Sequence, residues 1–240
     1  MRSRLLLVAL SLAATPASYA QTTVAHRSAG ARDTLGRYEA EIREFEHADR
    51  INPPKHGGVV FVGSSSIRMW PQLQADFPGV NVIQRGFGGS QIDEVLHYAP
   101  RIVLPYRPAL IVLYAGENDL VVGRSPEEIL SNYKEFVRLV HKELPHTKIA
   151  YISINPSGDR WVMAEKMRAT NSLIRKHVAT DPRLLYVNVF TPMLGADGMP
   201  RDELFGGDHL HMNDDGYAIW RELLAPIVTA VATRAPAPSR

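Results

Sequence analysis

Residues 59–70 read Val-Val-Phe-Val-Gly-Ser-Ser-Ser-Ile-Arg-Met-Trp, an apolar, β-branched run that stops at a glycine and three hydroxyl side chains. A run of this length and composition is typical of a strand buried on both faces. The serines that follow it are residues that helix N-caps favour. The segment therefore predicts a strand that delivers Ser64, Ser65 or Ser66 to a surface, either as a nucleophile or only as a helix cap.

The same alternation of strand and helix patterns continues along the chain. Further strand patterns cover 80–84, 110–115, 148–154 and 184–189, and the longer helical patterns cover 33–50, 91–98, 126–144, 161–179 and 214–231. Strands that alternate with helices at this spacing imply βαβ units and a parallel sheet covered on both faces. The sequence predicts one α/β domain with five parallel strands.

The first twenty residues differ in character from the rest of the chain. Arg2 and Arg4 precede an apolar run over 5–14, and Ser18-Tyr19-Ala20 has the small-x-small pattern of a cleavage site. This order is typical of a secretory signal peptide. The apolar run is too short for a spanning helix, which needs about 20 residues. We therefore expect an exported protein, periplasmic or secreted, with no stable membrane span after cleavage.

The predicted organisation places a signal peptide at 1–20, a flexible lead at 21–30, the folded domain at 31–232 and a disordered Pro/Ala-rich tail at 233–240. Removal of the signal peptide takes away two arginines and no acid, so the formal net charge falls from +2 to zero. No basic block interleaved with aromatic residues is present, and nucleic acid is not an expected partner. Cysteine is absent, which excludes disulfides, a cysteine nucleophile and thiolate metal ligands.

Polar or glycine-rich clusters follow the strands of the predicted sheet. They occupy 63–66, 86–90 and 116–119, and a fourth cluster at 208–217 follows the last strand after a long loop. Ligands of such sheets bind outside the carboxyl ends of the strands, so we expect the clusters to meet at one edge. A serine, a histidine and a carboxylate there are the parts of an acyl-transfer triad, and glycine N–H groups or an asparagine amide are suitable oxyanion donors.

Two other motifs fit this sequence less well. The Gly-x-Ser-x-Gly elbow of α/β-hydrolases needs glycine where Ile67 stands, and a dinucleotide fingerprint at 86–91 needs glycine at Gln91. A zinc site built from Asp208, His209 and His211 stays open, because imidazole and carboxylate groups are both zinc ligands.

The four clusters, in this order, resemble the blocks of the SGNH (GDSL) hydrolases. They are Gly63-Ser64-Ser65, Gly86-Phe87-Gly88-Gly89, Gly116-Glu117-Asn118-Asp119 and Asp208-His209-Leu210-His211, and the resemblance extends from about residue 58 to 232. It implies a flavodoxin-like three-layer α/β/α sandwich. It also implies ester hydrolysis through an acyl-serine intermediate, with no metal or organic cofactor.

Residue by residue, the resemblance places the family's nucleophile on Ser65, its acid on Asp208 and its base on His211. It places the oxyanion donors on the backbone N–H groups of Ser65 and Gly89 and on the side chain of Asn118.

One residue departs from the family's motif. Ser64 stands where the motif has aspartate, and the change bears on substrate detail and local hydrogen bonding more than on catalysis. Asn155, Arg160 and Trp161, in the loop after the fourth strand, are candidates for a wall of the substrate pocket.

These observations predict a serine esterase for small-molecule or carbohydrate esters. No long apolar insertion resembles a lipase lid, which favours short, acetyl-like acyl groups. The alternatives are a lysophospholipase or thioesterase of the same fold, a metal-dependent deacetylase that uses Asp208, His209 and His211, and a non-catalytic carbohydrate- or lipid-binding relative.

Overall fold

A computed structural model describes residues 36–232 of the chain. The predicted signal peptide at 1–20, the predicted flexible lead at 21–30 and the predicted tail at 233–240 lie outside the described residues. Residues 31–35, at the start of the predicted domain, also lie outside them.

In the described part of the chain, five strands form a single sheet in which every neighbouring pair is parallel. The strands are β1 (Val59–Gly63), β2 (Val82–Gly86), β3 (Leu110–Tyr114), β4 (Lys148–Ile152) and β5 (Leu184–Val187). Their order across the sheet is β2-β1-β3-β4-β5. The predicted α/β class, with five parallel strands in a flavodoxin-like order, is confirmed.

Eight α-helices connect and flank the strands within the described range. They are α1 (Glu39–Ile51), α2 (Ser65–Arg68), α3 (Leu73–Asp76), α4 (Ile92–Ile102), α5 (Glu117–Val121), α6 (Pro126–Glu143), α7 (Ala164–Val178) and α8 (Asp214–Ala232). Short 3₁₀ helices cover Leu104–Tyr106, Trp161–Met163 and Asp202–Leu204. The sequence did not predict α5 as a helix, because five residues are too few to show a helical period.

The bounds of β2, β3, β4 and β5 differ from the predicted ones. β3 ends one residue earlier than predicted, at Tyr114, and β4 ends two residues earlier, at Ile152. β2 lies two residues later, and its last residue, Gly86, pairs with Gly63 at the end of β1. β5 ends two residues earlier, because the backbone N–H groups of Val189 and Phe190 donate to the Ser153 side chain at 3.0 and 3.2 Å. The chain turns there instead of continuing the strand.

Each face of the sheet packs against its own layer of helices. Val60 and Val62 of β1 belong to a core shared with α1, α4, α6 and α7. Val59 and Phe61 belong to the opposite core, shared with α2, α3 and α8. Every residue of β1 is buried, as the apolar run predicts. This is a three-layer α/β/α arrangement with the sheet in the middle.

The carboxyl end of β1 lies at the point where the strand order reverses. In sheets of this order, ligands bind in the crevice at that point. Gly63, the last residue of β1, has φ +138°, and a Cβ there would overlap the carbonyl oxygen of Tyr114 in β3. Glycine has no Cβ and adopts positive φ readily, so it fits close to β3 in this conformation. It therefore allows the chain to turn directly from β1 into α2.

Candidate active site

Ser65 is the first residue of α2 and follows the end of β1 by two positions. The preceding Ser64 donates its backbone N–H to the carbonyl of Tyr114 at 2.9 Å, which fixes the turn to the sheet. Ser64 occupies the N-cap position of α2, but its side chain makes no capping hydrogen bond. Because the first N–H groups of a helix lack intrahelical partners, the Ser65 N–H is available to a ligand.

Asp208 and His211 lie together in the loop before α8. One carboxylate oxygen of Asp208, Oδ1, accepts the backbone N–H groups of Leu210 and His211 at 3.1 and 3.0 Å. The other oxygen, Oδ2, lies 2.6 Å from Nδ1 of the His211 ring. Between them, His209 adopts a left-handed conformation with φ +53°. The three-residue spacing therefore lets a single carboxylate hold both the turn and the ring.

The loop brings His211 to the end of β1. Its Nε2 atom lies 2.9 Å from Oγ of Ser65, a residue 146 positions earlier in the chain. Because an ionised carboxylate only accepts hydrogen bonds, the contact with Asp208 assigns the ring proton to Nδ1 and leaves Nε2 free to accept the serine proton. The three predicted triad residues thus form one continuous hydrogen-bonded chain.

The charge of Asp208 is stabilised within this chain. The hydrogen bond from the His211 ring, followed by the backbone N–H groups of His211 and Leu210, lowers the pKa of the Asp208 carboxyl to about 2. The carboxylate therefore stays ionised at any neutral or mildly acidic pH. An ionised carboxylate in this position orients the imidazole and stabilises its protonated form.

The three predicted oxyanion donors follow β1, β2 and β3. The loop after β2 is tied to the end of β1 by the backbone N–H of Phe87, which donates to the Gly63 carbonyl at 2.9 Å. Asn118, in α5, donates one amide hydrogen to the Ser90 carbonyl at 3.2 Å, and its second amide hydrogen stays available. Gly89 lies within this loop at φ +78°. The structure therefore brings the segments that carry Ser65, Gly89 and Asn118 to one edge of the sheet.

The candidate pocket residues make other contacts. Asn155 is 1% exposed and accepts a hydrogen bond from the Tyr114 hydroxyl. Arg160 pairs with Asp159, and Trp161 stacks on Phe190 with ring centroids 6.3 Å apart. Within residues 36–232, the hydrogen bonds, ion pairs and ring contacts of these three side chains run to residues outside the triad. Asn155 thus lies beneath the surface of the site.

Glu117 is a residue beside the site for which the sequence analysis assigned no role. The residue is 7% exposed, and its carboxyl group accepts the Ser157 hydroxyl at 3.1 Å and lies 3.3 Å from the Tyr114 hydroxyl. Burial raises the pKa of this carboxyl to about 7, against the opposing effect of the Ser157 hydrogen bond and the Arg160 charge. In the sequence, Glu117 is distinguished by its position directly before Asn118 and shortly after a buried strand.

The residues of the zinc alternative have different partners. His209 Nδ1 lies 3.6 Å from Asp202, whereas His211 lies between Asp208 and Ser65. Across the described part of the chain, no three His, Cys, Asp or Glu side chains are grouped closely enough to hold a metal ion. His209 therefore does not complete a ligand set with its neighbours in this arrangement.

A groove of about 890 Å³ lies at the opposite edge of the sheet, where it is lined by residues such as Leu110 and Lys148 at the amino ends of β3 and β4. None of the predicted site residues lines this groove. The candidate site is therefore defined by its hydrogen-bonded side chains at the carboxyl edge and not by this cavity.

Comparison with known proteins shows the family to which this chain belongs. Residues 56–219 match the model of the GDSL-like Lipase/Acylhydrolase family. The chain belongs to this family. This GDSL-family protein is therefore a carboxylic ester hydrolase, as its sequence blocks predict. The helix α1 (Glu39–Ile51) precedes the matched range.

Individual relatives are more distant. The GDSL-family chain is 26% identical over 172 residues to platelet-activating factor acetylhydrolase IB subunit alpha1 of Bos taurus. The aligned region covers 68% of this chain and 71% of that protein. A Streptococcus pneumonia structure named for platelet activating factor matches with a TM-score of 0.71 and 21% identity, over 82% of this chain and 96% of the other. A carbohydrate esterase family 3 structure from Talaromyces cellulolyticus matches with a TM-score of 0.58 and 17% identity, over 74% of this chain and 98% of the other. At these identities the two structures show the fold alone.

The helices of the GDSL-family domain do not include a membrane-spanning candidate. Within residues 36–232, none combines the length and the apolar character needed to cross a bilayer.

Proposed function

We propose that this GDSL-family hydrolase is an exported serine esterase that removes short, acetyl-like acyl groups from carbohydrate or other small-molecule esters. The observation that carries the proposal is the hydrogen-bonded chain from Asp208 through His211 to Ser65, with distances of 2.6 and 2.9 Å. A nucleophile in contact with a base, itself oriented by a carboxylate, is the arrangement that activates a serine hydroxyl.

In the first half of the reaction, Oγ of Ser65 attacks the ester carbonyl carbon while its proton moves to Nε2 of His211. The carbonyl π electrons move to the oxygen and form a tetrahedral oxyanion. The bond to the alcohol oxygen then breaks, and the leaving alcohol takes the proton from His211. The product of this half is an acyl-serine at Ser65, and Asp208 stabilises the imidazolium during both transfers.

The second half repeats these transfers with water as the nucleophile. His211 removes a proton from the water, whose oxygen attacks the acyl carbon, and the second tetrahedral oxyanion forms. Collapse of this intermediate breaks the bond to Oγ, which recovers its proton from His211. The carboxylic acid leaves and Ser65 is restored.

Three donors are assigned to the oxyanion in both halves. They are the backbone N–H groups of Ser65 and Gly89 and the second amide hydrogen of Asn118. Donors that are held in place before the reaction stabilise the charge that develops in the transition state. The hydrogen bond from Asn118 to Ser90 supports this assignment, because it holds the amide beside the loop that carries Gly89.

Two observations support a short acyl group. Within residues 36–232, the strands are joined without a long apolar insertion of the kind that covers a lipase site. The mammalian relative is named an acetylhydrolase, and one structural neighbour is a carbohydrate esterase. A lysophospholipase or a thioesterase would share the triad but would prefer different esters.

The acyl preference is tested by kcat/KM on nitrophenyl acetate, butyrate, octanoate and palmitate. We expect the highest value for acetate or butyrate, and a maximum at octanoate or palmitate would contradict the short-acyl proposal. The serine mechanism is tested in parallel by a fluorophosphonate probe followed by peptide mass spectrometry. We expect the label on Ser65, and an active enzyme that takes no label would contradict the mechanism.

Export is tested separately from the chemistry. We expect the protein recovered from the periplasm or the medium to begin at Gln21, because the small-x-small pattern ends at Ala20. An uncleaved protein that stays with the cytosolic fraction would contradict export and leave the esterase proposal intact.

A further inference from the structure

Two residues ahead of α1 reach the loop that carries Gly89. The Tyr38 hydroxyl donates to the carbonyl of Gly88 at 2.8 Å, and Nη2 of Arg37 donates to the carbonyl of Gly89 at 3.2 Å. Both residues precede the range that matches the family model, 56–219. A segment outside the matched range therefore holds two consecutive peptide groups of the candidate oxyanion loop.

The contact at Gly88 bears directly on the Gly89 N–H. The carbonyl of Gly88 and the N–H of Gly89 belong to one planar, trans peptide group, in which they point in opposite directions. A hydroxyl that fixes the oxygen on one side therefore fixes the direction of the N–H on the other. Two adjacent glycines leave this peptide free to rotate unless something outside the loop holds it.

We propose that Tyr38 is a positioning residue for catalysis, which directs and polarises the Gly89 N–H so that it donates to the oxyanion. The inference rests on the proposed esterase function, in which Gly89 is one of three donors. A hydrogen bond to the oxygen of a peptide also makes the N–H of the same peptide a stronger donor, because hydrogen bonds in a chain polarise one another.

Tyr38 is itself held in place. It is 7% exposed, and its ring meets the edge of Phe87 with centroids 4.9 Å apart. The guanidinium of Arg37 lies 4.6 Å from the Tyr38 ring centroid and makes two hydrogen bonds, at 2.7 and 2.9 Å, to the buried carboxylate of Glu94. Glu94 in turn accepts the backbone N–H of Gln91 at 2.8 Å. The Tyr38 ring is therefore held by its packing against Phe87 and by the neighbouring ion pair of Arg37 with Glu94.

The Tyr38 hydroxyl stays a donor over the working range of an esterase. Burial, and next the charge of Glu94, raise the pKa of the Tyr38 hydroxyl to about 12. It therefore keeps its proton at neutral and mildly alkaline pH.

A second tyrosine offers a matched control. The Tyr106 hydroxyl donates a hydrogen bond to the Asp49 carboxylate near the end of α1, and it accepts a hydrogen bond from Nε of Arg85 at 2.7 Å. It therefore fastens α1 to the domain without touching the Gly88 carbonyl. Tyr106→Phe removes a buried hydroxyl and weakens the attachment of α1, as Tyr38→Phe does, but leaves the peptide before Gly89 unchanged.

The experiment compares Tyr38→Phe with Tyr106→Phe on a nitrophenyl acetyl ester. We expect Tyr38→Phe to lower kcat about 10-fold at an unchanged KM, less than the roughly 100- to 1000-fold cost of removing a whole donor. The rate of inactivation by a fluorophosphonate should fall with kcat, because that reaction places negative charge on a phosphoryl oxygen that faces the same three donors. Tyr106→Phe should keep both rates within about twofold of the wild type, since it leaves every proposed donor in place.

Three results would overturn the inference. They are a kcat for Tyr38→Phe within about twofold of the wild type, a loss confined to KM, or an equal loss of kcat in both tyrosine variants, which would indicate only a weaker attachment of α1. Thermal melting confirms that Tyr38→Phe, which keeps the ring contact with Phe87, is folded at the assay temperature. Ser65→Ala is assayed alongside: if it retains activity, the proposed function fails, whereas an inactive Ser65→Ala with an unaffected Tyr38→Phe rejects the inference alone.

Discussion

The two halves of the candidate triad are held in different ways. Ser65 follows β1, a strand buried along its whole length, and its neighbours Ser64 and Ser66 are 2% and 5% exposed. Asp208 and His211 lie in a surface loop, where their side chains are 51% and 24% exposed. The loop is closed by short-range bonds such as Gly206 N–H to the His211 carbonyl at 2.8 Å.

Because of this difference, a substitution on the loop side can change activity without changing stability, whereas a substitution on the strand side can change both. A change that adds volume at the end of β1, such as a larger residue at Gly63, disturbs the core as well as the chemistry, because the chain there packs against β3 without spare room. A change in the exposed loop removes little buried surface and leaves most of the fold unaffected. The triad thus combines a nucleophile positioned by the core with a base positioned by local hydrogen bonds.

Ser65→Ala tests the strand side and should have the largest effect. Loss of the nucleophile should lower kcat on an acetyl ester by roughly 10⁶-fold, while the melting temperature changes little because alanine fits the site. Ser66→Ala, a matched change one residue later, should keep kcat within about threefold, since the hydrogen-bonded chain of the triad ends at Ser65 and does not include Ser66. A Ser65→Ala enzyme with wild-type turnover would remove the serine from the mechanism.

Asp208→Asn tests the loop side. The asparagine oxygen can still accept the backbone N–H groups that Oδ1 of Asp208 accepts, so the turn and the melting temperature should be preserved. Its amide hydrogens, however, face Nδ1 of His211, which moves the ring proton to Nε2 and blocks acceptance of the Ser65 proton. We expect kcat to fall by about 10⁴-fold. A large loss of thermal stability would show that the loop is not as separable from the core as its exposure indicates.

Asn118→Ala tests the oxyanion donor that lies on the strand side. Removal of one such donor should lower kcat by about 100- to 1000-fold with a smaller change in KM. Asn188→Ala is the control, because Asn188 is exposed after β5 and bonds to Thr191. Equal kinetics in the two variants would exclude the Asn118 amide from the oxyanion site.

The strand side was the easier half to predict from sequence. Apolar runs that end in glycine or hydroxyl residues placed Ser65 and Asn118 at one edge, because the ends of parallel strands meet there. The loop side was identified through the resemblance of residues 208–211 to the family's last block. The structure explains the three-residue spacing of that block by the double contact of Asp208 with His211.

Contacts between distant segments were not predictable in this way. Tyr38 and Gly88 are 50 residues apart, and no periodic pattern links them. The buried Glu117 carboxyl accepts the hydroxyl of Ser157, which lies 40 residues further along the chain in the loop after β4. Local periodicity reports the faces of helices and strands, whereas such pairs are created only when the layers pack together.

The two sides also differ in the acids that they contain, and this predicts a pH effect on stability. Burial raises the pKa of Glu117 from 4.5 to about 7, and that of Asp119 from 3.8 to about 7. Between the ordinary pKa values of these two carboxyl groups and about pH 7, the unfolded chain has lost protons that the folded chain retains. The free energy of unfolding therefore falls as pH rises through this range. The share of Glu117 is on the order of 3 kcal/mol, from about 2.5 pKa units.

Glu117→Gln isolates this share. Urea unfolding at pH 5, 6, 7 and 8 should show a clearly smaller decline for Glu117→Gln than for the wild type, with the remaining decline due to Asp119. Asp208→Asn is the matched control from the loop side: its carboxyl has a pKa lowered from 3.8 to about 2 and is therefore ionised in both states above pH 5. It should keep the wild-type slope, whereas an unchanged slope in Glu117→Gln would show that the buried acid beside Asn118 is ionised in the folded protein throughout this range.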